Sequence, residues 1–160
     1  MHELLQPLTD WSLQILEQFG MIGLFIFSFT ESLFHPIPVD PILVAMSAME
    51  KWTNLDIFFW ATLGSILGGL MAHFAGSTFG KKVFIKFFSQ EKFETGKKFM
   101  EKWGVWSVIF VAVTPLPFKV IAWMAGILHM NRLSFFIAEV IGRSGRFLLV
   151  LWLFKMIKNW

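Results

Sequence analysis

Apolar residues run along this chain in four blocks, and two of the blocks are broken in the same way. Residues 57–80, IFFWATLGSILGGLMAHFAGSTFG, carry no formal charge over 24 positions. A helix needs about 20 apolar residues to cross the roughly 30 Å hydrocarbon core of a bilayer, so this block predicts a full span. Residues 133–154, LSFFIAEVIGRSGRFLLVLWLF, predict a second span with Glu139, Arg143 and Arg146 set into it. The other two blocks are too short before they break. Gly20 to Thr30 makes about 15 Å of helix, half the core, and Pro36, Pro38 and Pro41 follow. Residues 104–114 repeat the arrangement ahead of Pro115 and Pro117. Each predicts a re-entrant hairpin that enters, breaks near the midplane and leaves by the same face. Non-helical backbone at that depth is tolerated only inside protein or beside a wet cavity.

The two broken blocks match in sequence. EQFGMIGLFIFSFT (17–30) aligns without gaps to EKWGVWSVIFVAVT (101–114), and PIPVD (36–40) aligns to PLPFK (115–119). The first copy carries five extra residues, ESLFH, before its prolines. Internal symmetry of this kind is the mark of inverted-repeat membrane proteins. The expectation is one all-α integral membrane domain over 1–160. Its first repeat covers about 8–80, a Lys-rich amphipathic connector about 81–102, and its second repeat about 97–157. A hairpin crosses zero times and a span once, so the second half is inverted and the hairpins face each other. Positive residues count eight on the side of 81–102 with Arg132 and three on the other, Lys51, Lys155 and Lys158. The positive-inside rule then puts 81–102 in the cytoplasm.

Local signals complete the outline. Gly64 and Gly68, and again Gly76 and Gly80, have the spacing that lets a second helix approach closely. Thr9-Asp10 reads as a helix cap, with Leu13, Leu16 and Phe19 on one side of the helix that follows. Residues 83–103 mix Phe and Trp with lysines, as a helix lying at the interface does.

Composition agrees with the membrane class. Hydrophobic residues make up 56% and charged residues 16%, too few charges to cover a water-soluble globule of this size. Cysteine is absent, which excludes disulfides and thiolate chemistry. No basic stretch precedes the first apolar run, so no secretory signal is expected. The lysines are explained by topology rather than by nucleic acid.

An ionisable residue within a membrane costs about 2.5–3.5 kcal/mol at a helix centre, so each one present here is a functional candidate. The first hairpin is acidic, with Glu31 and Asp40 beside His35; the second is basic, with Lys119. Arg143 and Arg146 lie on one face of the last span with Glu139, which at i,i+4 is expected to pair with Arg143. Pro36, Pro38, Pro115 and Pro117 are the hairpin breaks. Glu31, Asp40 and His35 suit proton or cation coupling, and Lys119, Arg143 and Arg146 suit an anion such as phosphate. His73, near Ser77, reads as structural. No cofactor, metal site or catalytic set is expected.

The motif Glu31-x4-Pro36-x-Pro38-x-Asp40 resembles the first motif of the DedA family, also called the SNARE-associated or VTT-domain family, whose usual form is E-x4-P-x-P-G-E. VTPLPFKVIAWMAGILHMN resembles that family's second motif, R-F-x-P-x-x-R followed by A-G, in Pro115 and Ala125-Gly126. IGRSGRF resembles the start of the last helix in a shorter YqaA-like branch. The resemblance covers roughly residues 12–155. It departs where Ala112 stands for the first arginine, Lys119 for the second with a shift of one, Asp40 for glutamate and Val39 for glycine. It implies a multi-pass protein of the bacterial inner membrane that moves lipids such as undecaprenyl phosphate or phospholipid, some members depending on the proton-motive force.

Three readings follow: proton-linked translocation of an anionic lipid, a small-ion antiporter, or a non-transporting scaffold. Partners are membrane lipids and protons or small cations, with a homo-oligomer left open. A membrane enzyme such as a lipid phosphatase lacks a nucleophile with a positioned base.

Overall fold

The computed structural model describes residues 2–160, with side chains described from Asp10 onward except at positions 12, 13, 15 and 16. All regular structure among them is helical: α1 (His2–Leu33), α2 (Asp40–Met49), α3 (Asn54–Phe87), α4 (Gln90–Trp103), α5 (Val105–Val113), α6 (Phe118–Ile127) and α7 (Arg132–Lys158). A threonine caps only where the backbone before it is non-helical. Here the helix already runs from His2, so Thr9-Asp10 lies inside α1 rather than at its start. Leu13 and Leu16 lie outside the described side chains, and Phe19 is exposed.

Two glycines set the frame. Gly20 has φ 58° and ψ −129°, and Gly104, 84 residues on, has φ 56° and ψ −130°. Side chains disfavour this conformation and glycine adopts it freely. Each glycine turns the chain sharply just before an apolar helix that ends at a proline break. The first break spans 34–39, between α1 and α2; the second spans 114–117, between α5 and α6.

α3 is the central helix. At Gly64 and Gly68 it lies against the backbone carbonyls of Phe25 and Phe29 on α1, so close that a methyl group would not fit. At Gly76 it lies equally close to the carbonyl of Trp123 on α6, and Gly126 of α6 returns the contact at the carbonyl of His73. The first glycine pair packs as expected. In the second pair only Gly76 packs. Gly80 takes φ 71° with nothing near its missing side chain, because it bends α3 where the lysines begin.

One buried cluster gathers Phe84 of α3, Phe93 of α4, Phe118 and Trp123 of α6 and Phe135 of α7. A second gathers Leu24, Leu43, Met46, Ile57 and Phe147 between α1, α2, α3 and α7. Outside, the surface is apolar. Phe59, Leu67, Met71 and Phe74 on α3 and Ile137, Ile141, Leu148 and Trp152 on α7 are exposed, while Glu139 and Arg143 are buried. Charge within and large hydrophobic groups without is the arrangement of a protein solvated by hydrocarbon. Among the described residues α3 is the one helix long and apolar enough to cross a membrane by composition. α7, at 27 residues, has about 40 Å of length but carries Glu139, Arg143 and Arg146 in its middle, besides Arg132, Lys155 and Lys158 toward its ends. α4 is amphipathic: Phe93, Gly96 and Met100 are buried, and Lys92, Lys98 and Lys102 are exposed.

Candidate functional site

A helix that stops inside a protein leaves its last carbonyls without partners. At both breaks here the donors come from other elements. Trp123 Nε1 donates to Leu33 O at 3.0 Å and Lys119 Nζ donates to His35 O at 2.9 Å, both across to the first break from α6. Arg146 Nη1 donates to Val113 O at 3.3 Å, from α7 to the second break. The breaks are thereby held facing each other, and between them lies a cavity of about 160 Å³. Its wall includes Glu31, His35 and Asp40 from the first half and Lys119, Arg143 and Arg146 from the second. Pro36, Pro38, Pro115 and Pro117 complete it, so the sequence-predicted residues converge here apart from Glu139.

Two charge pairs cross the cavity. Arg143 Nη2 donates to Glu31 Oε2 at 2.7 Å, and Arg143 Nε donates to Ser65 Oγ at 2.6 Å. Ser65 Oγ in turn lies 2.7 Å from Ser32 Oγ. The guanidinium is stacked by Phe118 and Phe147, 5.1 and 4.9 Å from the ring centroids. Cation–π contact of this kind holds an arginine in place away from water. Arg146 grips Asp40 through both nitrogens Nε and Nη2. Asp40 opens α2, where a carboxylate also meets the positive end of the helix dipole.

Lys119 has no carboxylate partner among the described residues; its ammonium rests on a carbonyl alone. Three cations therefore face two carboxylates in the cavity wall. His35 stands edge-on to Phe27 at 5.0 Å, with Nδ1 buried and unpartnered among the described residues. His73 lies away from the cavity, with Nε2 2.9 Å from Met130 O. Ser77 does not meet it and donates instead to Phe74 O.

The expected Glu139–Arg143 pair does not form. Arg143 is drawn across to Glu31 and Ser65, and the Glu139 carboxyl lies over Gly69 of α3 without a hydrogen-bond partner among the described residues. Sequence reasoning also missed Ser32, Ser65, Phe118, Phe147 and Trp123. A serine beside a close-packing glycine in an uncharged span, as at Gly64-Ser65, is the one signal that could have pointed to a buried donor.

A groove adjoins the cavity. Leu116 and Pro117 line both the cavity and a cleft of about 690 Å³ whose wall also carries Lys92, Lys98 and Lys102. Phe99, Trp103 and Phe110 continue it into a second cleft of about 780 Å³, walled by Trp106, Ile109 and Val113. The groove thus offers ammonium groups at one end, apolar walls along its length and the charged cavity alongside.

Fold and site together define a helical membrane protein whose partly buried charges gather between two proline-broken helices. The chain belongs to the VTT-domain family, the domain of the DedA and SNARE-associated proteins: the VTT domain matches residues 37–156. That match holds Asp40, Lys119, Arg143 and Arg146, and starts just after Glu31. An uncharacterized protein of Methanocaldococcus jannaschii is 27% identical over 87% of this chain and 86% of its own. A protein of Lactococcus lactis named alkaline phosphatase-like is 29% identical over 81% of this chain and 67% of its own. Undecaprenyl phosphate transporter A of Staphylococcus aureus is 22% identical over 82% and 70%. No solved structure matches.

Proposed function

We propose that this protein is a multi-pass transporter of the bacterial inner membrane that carries anionic, phosphate-headed lipids across the bilayer together with protons. The observation that carries this reading is the excess cation. Lys119 faces a cavity with room for a phosphate group and has no carboxylate of its own. A phosphate entering there meets Lys119 first and then draws Arg143 and Arg146 from Glu31 and Asp40, which take up protons as they lose their partners. The groove beside it supports a lipid rather than a free ion: lysines suit the headgroup and the aromatic walls suit a long apolar tail. The matched backbone at Gly20 and Gly104 supports two inverted hairpins meeting near the midplane. The kinship with a protein named as an undecaprenyl phosphate transporter points the same way.

Reconstituted protein with labelled polyprenyl phosphate, phosphatidylglycerol and a neutral diacylglycerol tests this. The phosphate-headed lipids are expected to cross, faster with a pH gradient, and the neutral lipid is not. Lys119→Gln is expected to keep the fold and weaken binding of the phosphate lipids about tenfold, near 1.4 kcal/mol. Equal rates for neutral and anionic lipids, or none for any, would remove the reading.

A further inference from the structure

α3 and α7 pass each other in a fixed register. Ser65 meets Arg143, Gly69 meets Glu139, and His73 meets Phe135 with ring centroids 4.9 Å apart. Each step is four residues, about 6 Å along either helix. Glu139 therefore sits one turn beyond the cavity, between Arg143 and the level of His73. Its side chain has no exposure, and neither oxygen has a hydrogen-bond partner among the described residues.

The surroundings are specific. The carboxyl fills the space that a side chain at position 69 would take, so Gly69 is what admits it. α5, packed on α7, contributes no titratable residue, α6 only Lys119, α2 only Asp40 and α1 the paired Glu31. Arg143 on its own helix is held by Glu31 and Ser65, and His73 by Met130 O. An unpaired anion here would carry a heavy desolvation cost, whereas the neutral acid fits. A leucine would pack as well without any polar atom.

We propose that Glu139 is a proton-binding site that shares Arg143 with Glu31. In the arrangement seen, Arg143 holds the Glu31 carboxylate and Glu139 carries the proton. When Glu31 takes a proton with no phosphate in the cavity to hold Arg143, the guanidinium turns back one helical turn to Glu139, whose O–H proton leaves past His73 toward the Met130 end. Arg143 stays charged throughout; one carboxyl gains a proton as the other loses one. The role of this exchange in transport rests on the function proposed above, but the exchange itself does not.

Infrared difference spectroscopy on purified protein at neutral pH tests it without a transport assay. The wild type is expected to show a protonated-carboxyl C=O stretch that Glu139→Gln removes. Glu31→Gln, which mimics the protonated partner, is expected to remove the same band by freeing Arg143. A band surviving in Glu139→Gln, or surviving in Glu31→Gln, overturns the proposal. If Glu139→Gln fails to fold, Glu139→Leu keeps the volume and serves in its place. In proteoliposomes Glu139→Gln is expected to bind lipid normally and to lose about a hundredfold of the proton-driven rate; an unchanged proton-driven rate also overturns it. A wild type that moves no lipid would end the transport reading and leave the infrared result to decide the exchange.

Discussion

The two broken helices begin alike and end differently. Both leave a glycine turn of nearly identical φ and ψ, and both carry a threonine whose hydroxyl folds back on a carbonyl three residues earlier, Thr30 on Phe27 O and Thr114 on Val111 O. The second helix stops there, at Val113. The first runs on through Glu31, Ser32 and Leu33 before it breaks. That added stretch brings a carboxylate to Arg143 and a hydroxyl to Ser65. The lesson is that a backbone frame used twice becomes an acidic half and a basic half through a few residues inserted ahead of one break and through Asp40 standing where the other copy has Lys119.

The sharpest way to break this comparison is to remove the cation that reads the insertion. Arg143→Gln leaves the half-buried Glu31 without a partner, and its expected cost is about 3 kcal/mol, the lower end for breaking a buried pair, measured by unfolding in detergent, with transport abolished. Arg143→Lys is expected to recover only part of this, because an ammonium lacks the planar fork that reaches Glu31 and Ser65 together. The second pair is open to a double-mutant cycle. Asp40→Asn and Arg146→Gln, singly and combined, are expected to show a coupling of about 1–3 kcal/mol; additive losses would mean that the pair does not tie α2 to α7. The shared frame itself is tested by Gly20→Ala and Gly104→Ala. Each is expected to cost about 1–3 kcal/mol, and the two should agree closely if the turns are equivalent. The smallest effect is outside the membrane region. Lys158 beside Glu50 holds that exposed carboxyl below its usual value, so its contribution is present above the ordinary carboxylate range and fades as the pH falls through it. Glu50→Gln is expected to leave Tm unchanged within error.

Much of this frame was legible from spacing alone. The two apolar blocks cut short by prolines are α1 and α5, and the charged residues placed near the breaks are the ones that line the cavity. The pairing among them was not legible. Neighbours at i,i+4 suggested Glu139 for Arg143, yet the rotation of α7 against α3 decides which carboxylate the guanidinium reaches, and rotation leaves no trace in one sequence. Ser65 is a similar case, since a lone hydroxyl acquires meaning only from what faces it. The start of α3 was legible and was missed. Thr53 Oγ1 accepts from Asp56 N at 3.2 Å, the pattern of a threonine cap followed three residues later by an acid.

Each break is satisfied by groups that belong to a later part of the chain, and this bears on biogenesis. Glu31 leaves the ribosome 112 residues ahead of Arg143, a delay of roughly 5–20 s at ordinary rates of synthesis. During that interval the N-terminal half holds a bare carboxylate and uncapped carbonyls whose partners lie in the second half, so it is expected to be unstable alone. Split between Phe87 and Gln90, the chain should yield two fragments that are degraded when made alone and persist when made together.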